Sequence, residues 1–75
     1  MTQEGALIAT VGARIGKLRR DAGLTQQNMA DRIGCNLRNY QRFESGQENL
    51  TLRSLARLAS ALGVGPDRLL AEMGP

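Results

Sequence analysis

The segment Gln26 to Ser45, QQNMADRIGCNLRNYQRFES, reads as two short helices joined by a tight turn. Met29, Ala30 and Ile33 share one helical face, and Tyr40 and Phe43 fall together on a second. Between them Gly34 can take the positive φ that stops a helix sharply, and Asn36 suits the N-cap of the next one. Ala30 is small enough for two helices to cross closely, where a Leu or Arg would push the second helix away. Residues 26–45 therefore have the pattern of a helix-turn-helix. Pointing outward are Leu37, Arg38, Gln41 and Arg42, side chains able to read base edges in a major groove. The same residues also suit a plain solvated face. Two capped helices, a glycine between them and a small crossing residue all agree within a short stretch, and that agreement favours DNA reading.

Around this segment the chain of 75 residues has room for one small domain, expected to span 1–75, and none for a separate catalytic or sensing unit beside it. Aromatics are confined to Tyr40 and Phe43, while Ala, Leu, Arg and Gln are plentiful, so an all-α fold is expected. The net charge of +3 and a pI near 10.0 favour polyanionic partners. Every basic residue except Lys17 is Arg, the better fork for phosphate and for guanine, although the excess also fits a simple compositional bias. The single Cys35 excludes an internal disulfide and sits in the turn, where packing suits it better than redox chemistry. With no His, one Cys, no clustered metal ligands and no phosphate-loop pattern, neither an enzyme nor a cofactor or metal is expected. No signal peptide or membrane span is visible, and a cytoplasmic protein, nucleoid-associated when on DNA, is expected.

In chain order, residues 1–7 offer weak signals and are expected to fray, with Thr2 and Thr10 both suited to start a helix. From Ile8 onward Ile8, Val11, Ile15, Leu18 and Ala22 form one stripe of a first helix. Gly12 and Gly16 each cost that helix about 1 kcal/mol relative to Ala, so they mark a close neighbour or a helix held mainly by packing. Gly23-Leu24 stops it and Thr25 caps the second, where Asn28 stands in place of the Glu or Gln of a capping box. Gln26 and Gln27 lie at the exposed first turn, whose free N–H groups favour a phosphate. Gly46 ends the third helix and Thr51 caps the fourth, with Leu52, Leu55, Leu58, Ala59 and Leu62 expected as its apolar face. Gly65-Pro66-Asp67 starts a short last helix. Its adjacent Leu69 and Leu70 cannot both face inward easily, so Leu69, Leu70 and Met73 are the candidates from which a dimer interface would draw, although Met73 also fits a disordered terminus.

IGKLRRDAGLTQQNMADRIGCNLRNYQRFESGQ, followed by TLRSLARLASALGVGPDRLL, resembles the lambda-repressor-like, or Xre-family, DNA-binding domains over nearly the whole chain. The marks are Leu18-Arg19, Gly23-Leu24-Thr25-Gln26, Ala30, Gly34, Phe43-Glu44-Ser45-Gly46 and the run Leu58 to Val64. The resemblance implies a compact five-helix domain whose third helix lies in the major groove, with Leu37, Arg38 and Arg42 on bases and Gln41 close by. It implies phosphate contacts at Gln26, Asn36, Gln47 and Asn49, and an ion pair of Arg19 with Glu44 tying the first helix to the third. Tyr40 stands where the family usually has a branched aliphatic, and is expected in the core with its hydroxyl at the surface. Leu37 cannot hydrogen-bond, so its expected contact is a thymine methyl.

The expected function is sequence-specific binding of double-stranded DNA by a homodimeric transcription regulator on a two-fold symmetric operator. The Asn49 to Leu52 loop and the long fourth helix look mildly like restriction-modification controller proteins. The alternative is an antitoxin-like or adaptor module whose main partner is another protein, held through Leu69, Leu70 and Met73.

Overall fold

Thr25, Asn36 and Thr51 each cap the helix that follows, and left-handed Gly34, Gly46 and Gly63 end those helices, satisfying backbone groups that a helix terminus leaves open. The computed structural model describes residues 3–70, apart from the side chain of Glu4. Five helices run in order: α1 (Gln3–Asp21), α2 (Gln26–Ile33), α3 (Leu37–Ser45), α4 (Leu52–Leu62) and α5 (Pro66–Leu70). The all-α, five-helix expectation holds for this range. Helix α1 is already formed at Gln3, ahead of the expected start near Ile8, as extending a formed helix adds one hydrogen bond per residue. Thr10, read as a helix start, lies inside α1 instead, with its hydroxyl donating to the Ala6 carbonyl at 2.9 Å.

Asn28 overturns the expectation of a weak start to α2. Thr25 Oγ1 accepts from the Asn28 N–H at 2.9 Å, and Asn28 Oδ1 accepts from the Thr25 N–H at 2.9 Å, so the short amide completes the box that Glu or Gln usually closes. Thr51 and Ser54 do the same at α4. Gly34 ends α2 with φ 76°, and the N–H of Cys35 returns to the Ala30 carbonyl at 3.0 Å, so the chain reverses within a few residues to enter α3.

The stripe on α1 buries Val11, Ile15 and Leu18 against Met29 and Ala30 of α2, Tyr40 of α3, Leu58, Ala59, Ala61 and Leu62 of α4, and Leu69 of α5. Helix α1 packs along α3, α2 along α3 and α4, and α5 closes the far side on α4 and α1. Arg32 Nη1 adds a polar tie, donating to the Ala61 carbonyl at 2.8 Å and joining α2 to the end of α4. Cys35 packs half-buried against the core, and burial pushes its thiol up.

Gly12 and Gly16 prove to mark a close neighbour. A Cβ on Gly12 would run into the backbone carbonyls of Phe43 and Glu44, and one on Gly16 would lie 3.0 Å from a Glu44 carboxylate oxygen. The end of α3 rests directly on the α1 backbone. Leu52, expected on the apolar face of α4, is left uncovered, and of the adjacent Leu69 and Leu70 one turns inward. Leu52 is 85% exposed because it sits one turn ahead of Leu55, at the free end of α4 where nothing covers it. Leu69, named as a dimer candidate, is fully buried because α5 folds back over α4 and α1; Leu70 remains 47% exposed. Met73 lies outside the described residues.

Gly12→Ala should destabilise the domain by about 1–3 kcal/mol, because the contact is with backbone and cannot give, even though Ala is the better helix former. Urea denaturation measures it, and a variant as stable as the parent would mean that α1 and α3 can separate without loss.

Candidate nucleic-acid interface

Asn36 fixes the start of α3 by accepting from the Asn39 N–H at 2.8 Å. Its oxygen is committed to the cap, so any phosphate contact falls to the amide nitrogen. From that cap Arg38, Gln41 and Arg42 project on one exposed face, and with Ser45 and Gln47 they line a shallow depression. Leu37 is half-buried at the edge of this face. Asn49 departs from the group: it lines a different hollow, beside Asn39, Phe43 and Cys35.

Behind the face stands the ion pair that the resemblance implied. Arg19 Nε donates to Glu44 Oε2 at 2.6 Å and Nη2 to Oε1 at 3.3 Å, while Nη1 donates to the Leu24 carbonyl at 2.8 Å. The two side chains are only 12% and 11% exposed. One fork thus ties the end of α1, the connection to α2, and α3. Tyr40 corrects its own expectation: its hydroxyl points inward and donates to Glu44 Oε2, because the carboxylate one turn on is the acceptor within reach. Burial pushes the phenol well above its ordinary range, helped by the adjacent carboxylate. Burial alone would raise Glu44, but the donors from Arg19, Tyr40 and Gln26 outweigh it and hold the carboxyl below its usual value.

Gln26 connects this buried centre to the outer face. Its Nε2 donates to Glu44 Oε1 at 3.2 Å and its Oε1 accepts from Gln41 Nε2 at 3.1 Å. Both ends of the amide are in use. Gln27 donates to Asp31 Oδ1 at 2.8 Å. On the opposite flank Arg42 pairs with Glu48, Nε to Oε2 at 3.3 Å, and its Nη2 donates to the Gln47 carbonyl at 3.5 Å. Sequence reasoning missed Glu48 altogether. The signal was Gly46, whose left-handed φ of 75° turns the chain back toward Arg42.

A helix-turn-helix domain family matches residues 10–73. The chain belongs to that family. It is 39% identical over 59 residues to the SPbeta prophage-derived HTH-type transcriptional regulator YonR of Bacillus subtilis, covering 79% of this chain and 55% of YonR. It is 38% identical over 56 residues to the cryptic phage CTXphi transcriptional repressor RstR of Vibrio cholerae, covering 75% of this chain and 50% of RstR. The chain therefore spans about half the length of these curated relatives. Among solved structures it is similar to the restriction-modification controller protein C.AhdI of Aeromonas hydrophila. There the TM-score is 0.81 and the identity 33%, over 85% of this chain and 97% of that one. The family and its named relatives are regulators, not enzymes. No helix of the described residues is long and apolar enough to cross a membrane.

Stability should depend on acid in a way that reports on Glu44. A carboxyl depressed on folding contributes stability that is whole above its ordinary value of 4.5 and is lost as the pH falls through its lower folded value. Unfolding free energy measured from pH 7 downward should therefore fall below 4.5, and Glu44→Gln should lack that part of the slope. Equal slopes in both proteins would show that the fork does not hold the Glu44 carboxyl down. Arg19→Ala, which strands the carboxylate, should cost about 3–5 kcal/mol.

Proposed function

We propose that the chain is the sequence-specific DNA-binding part of a transcription regulator that sits on a two-fold symmetric operator as a homodimer, with α3 in the major groove. The observation that carries this is the exposed triad Arg38, Gln41 and Arg42 on one face of a helix whose position is held by the Asn36 cap and the Arg19–Glu44 fork. Two guanidinium forks on a fixed helix match the paired acceptors of guanine, and Gln41 can serve adenine. Leu37 at the edge of the face suits a thymine methyl. The first turn of α2 at Gln26 and Gln27, the amide of Asn36, and Gln47 suit the flanking phosphates, and Asn49 would touch one further along the backbone.

A homodimer follows from the size of the reading surface. One helix of this length reads only a few base pairs, and two copies on half-sites about one helical turn apart double the contact on one face of the duplex. Leu70 is the exposed apolar residue left on α5 for such a contact, with Met73 beyond the described range. The cytoplasm, on the nucleoid, is the compartment this reading requires. The names of YonR, RstR and C.AhdI support regulation of transcription or of restriction-modification as the setting. The adaptor alternative has less support, since burial of Leu69 removes part of the surface it relied on.

Selection of bound duplexes from a randomised library at near-physiological salt should return an inverted repeat containing guanines. Arg38→Ala and Arg42→Ala should each lose about 1–3 kcal/mol of discrimination at one guanine per half-site. Folded protein that enriches no symmetric motif would overturn the proposal and favour a protein-binding module.

A further inference from the structure

The two arginines of the reading face are not equivalent. Arg38 makes no hydrogen bond or ion pair within the described residues, whereas Arg42 is held by the loop that leaves α3. At Gly46 the backbone turns left-handed, and the Gln47 N–H bonds back to the Arg42 carbonyl at 2.9 Å. This reversal brings Glu48, six positions on in sequence, to the side of Arg42.

The contacts fall on one edge of the guanidinium. Nε faces Glu48 Oε2 at 3.3 Å and Nη2 reaches the Gln47 carbonyl at 3.5 Å, and these two nitrogens form the side-on edge with which arginine grips a carboxylate or phosphate. Neither contact uses Nη1, so the end-on edge is left for the paired acceptors N7 and O6 of a guanine. We propose that Glu48 is a positioning residue that reserves Arg42 for bases, by filling the edge that a backbone phosphate would otherwise take; this rests on the DNA reading above. The pair is half-exposed, at 47% and 38%, and such pairs contribute little to stability, so its consequence lies in binding. A carboxylate beside the reading face also opposes phosphates on every sequence alike. That uniform part weakens both duplexes equally, so a change in the operator-to-random ratio reports on the edge of Arg42 alone.

The test uses Glu48→Gln, Glu48→Asp, Arg42→Ala and the Arg42→Ala/Glu48→Gln double variant, with affinities for the selected operator and a random duplex measured over a range of salt. Glu48→Gln should bind the random duplex several-fold more tightly, with a salt dependence steeper by about 0.9, the slope of one further phosphate neutralised. The ratio of operator to random affinity should fall, selection at the guanine facing Arg42 should relax, and Glu48→Asp should retain the parent ratio. In the Arg42→Ala background the glutamine change should leave the ratio untouched. An unchanged ratio in the single variant, or an equal fall without Arg42, would overturn the inference while leaving the DNA reading intact. A parent protein with no operator preference would overturn the reading itself and this inference with it. Thermal melts should be alike for Glu48→Gln and the parent.

Discussion

The carboxylate of Glu44 gathers donors from three helices: the fork of Arg19 from α1, the hydroxyl of Tyr40 from its own helix, and the amide of Gln26 from α2. Such a buried pair does not by itself make a protein stable, because removing two charges from water costs much of what their attraction returns. What it does is penalise every other arrangement. If α3 rotated or slid, the charges would lose their partners inside a poorly solvated space. The orientation of α3 relative to α1 and α2 is therefore specified by an electrostatic penalty as well as by packing.

The two glycines of α1 belong to the same constraint. Gly16 leaves room for the Glu44 carboxylate, and Gly12 lets the last turn of α3 lie against bare backbone. Their cost to α1 in helix propensity is offset by an approach that any side chain would prevent. A helix carrying the fork, with gaps in its surface at the right turns, becomes the platform on which α3 is seated.

From that platform order extends outward to the face that would meet DNA. Gln26 passes a hydrogen bond from Glu44 to Gln41, and Glu48 holds Arg42 from the other side, so two of the outward side chains are partly oriented in the free protein. Side chains already oriented lose less entropy on binding than free ones. Arg38 and Leu37 lack such hydrogen-bonded support, and the face thus combines held and adaptable positions.

The sequence by itself determined the helices, their order and their turns, because those depend on interactions spanning only a few residues. Thr25, Asn36 and Thr51 each cap the helix that begins just after them, and Gly34 and Gly46 end theirs left-handed, all within reach of neighbours close in the chain. Periodicity likewise found most of the core and the outward face of α3, and the family resemblance supplied the Arg19–Glu44 pair. Even so, a local reading can misjudge reach, as it did for the Asn28 amide in the capping box. Only the tertiary structure decided the rest. Whether Leu69 or Leu70 faces inward depends on where α5 lies against α1 and α4, and whether Leu52 is covered depends on what packs at the start of α4, where it stays 85% exposed. The inward turn of the Tyr40 hydroxyl, the double use of Gln26 and the return of Glu48 to Arg42 depend on which partners distant segments bring within about 3 Å. Periodicity says which side of a helix is apolar; it does not say what stands opposite.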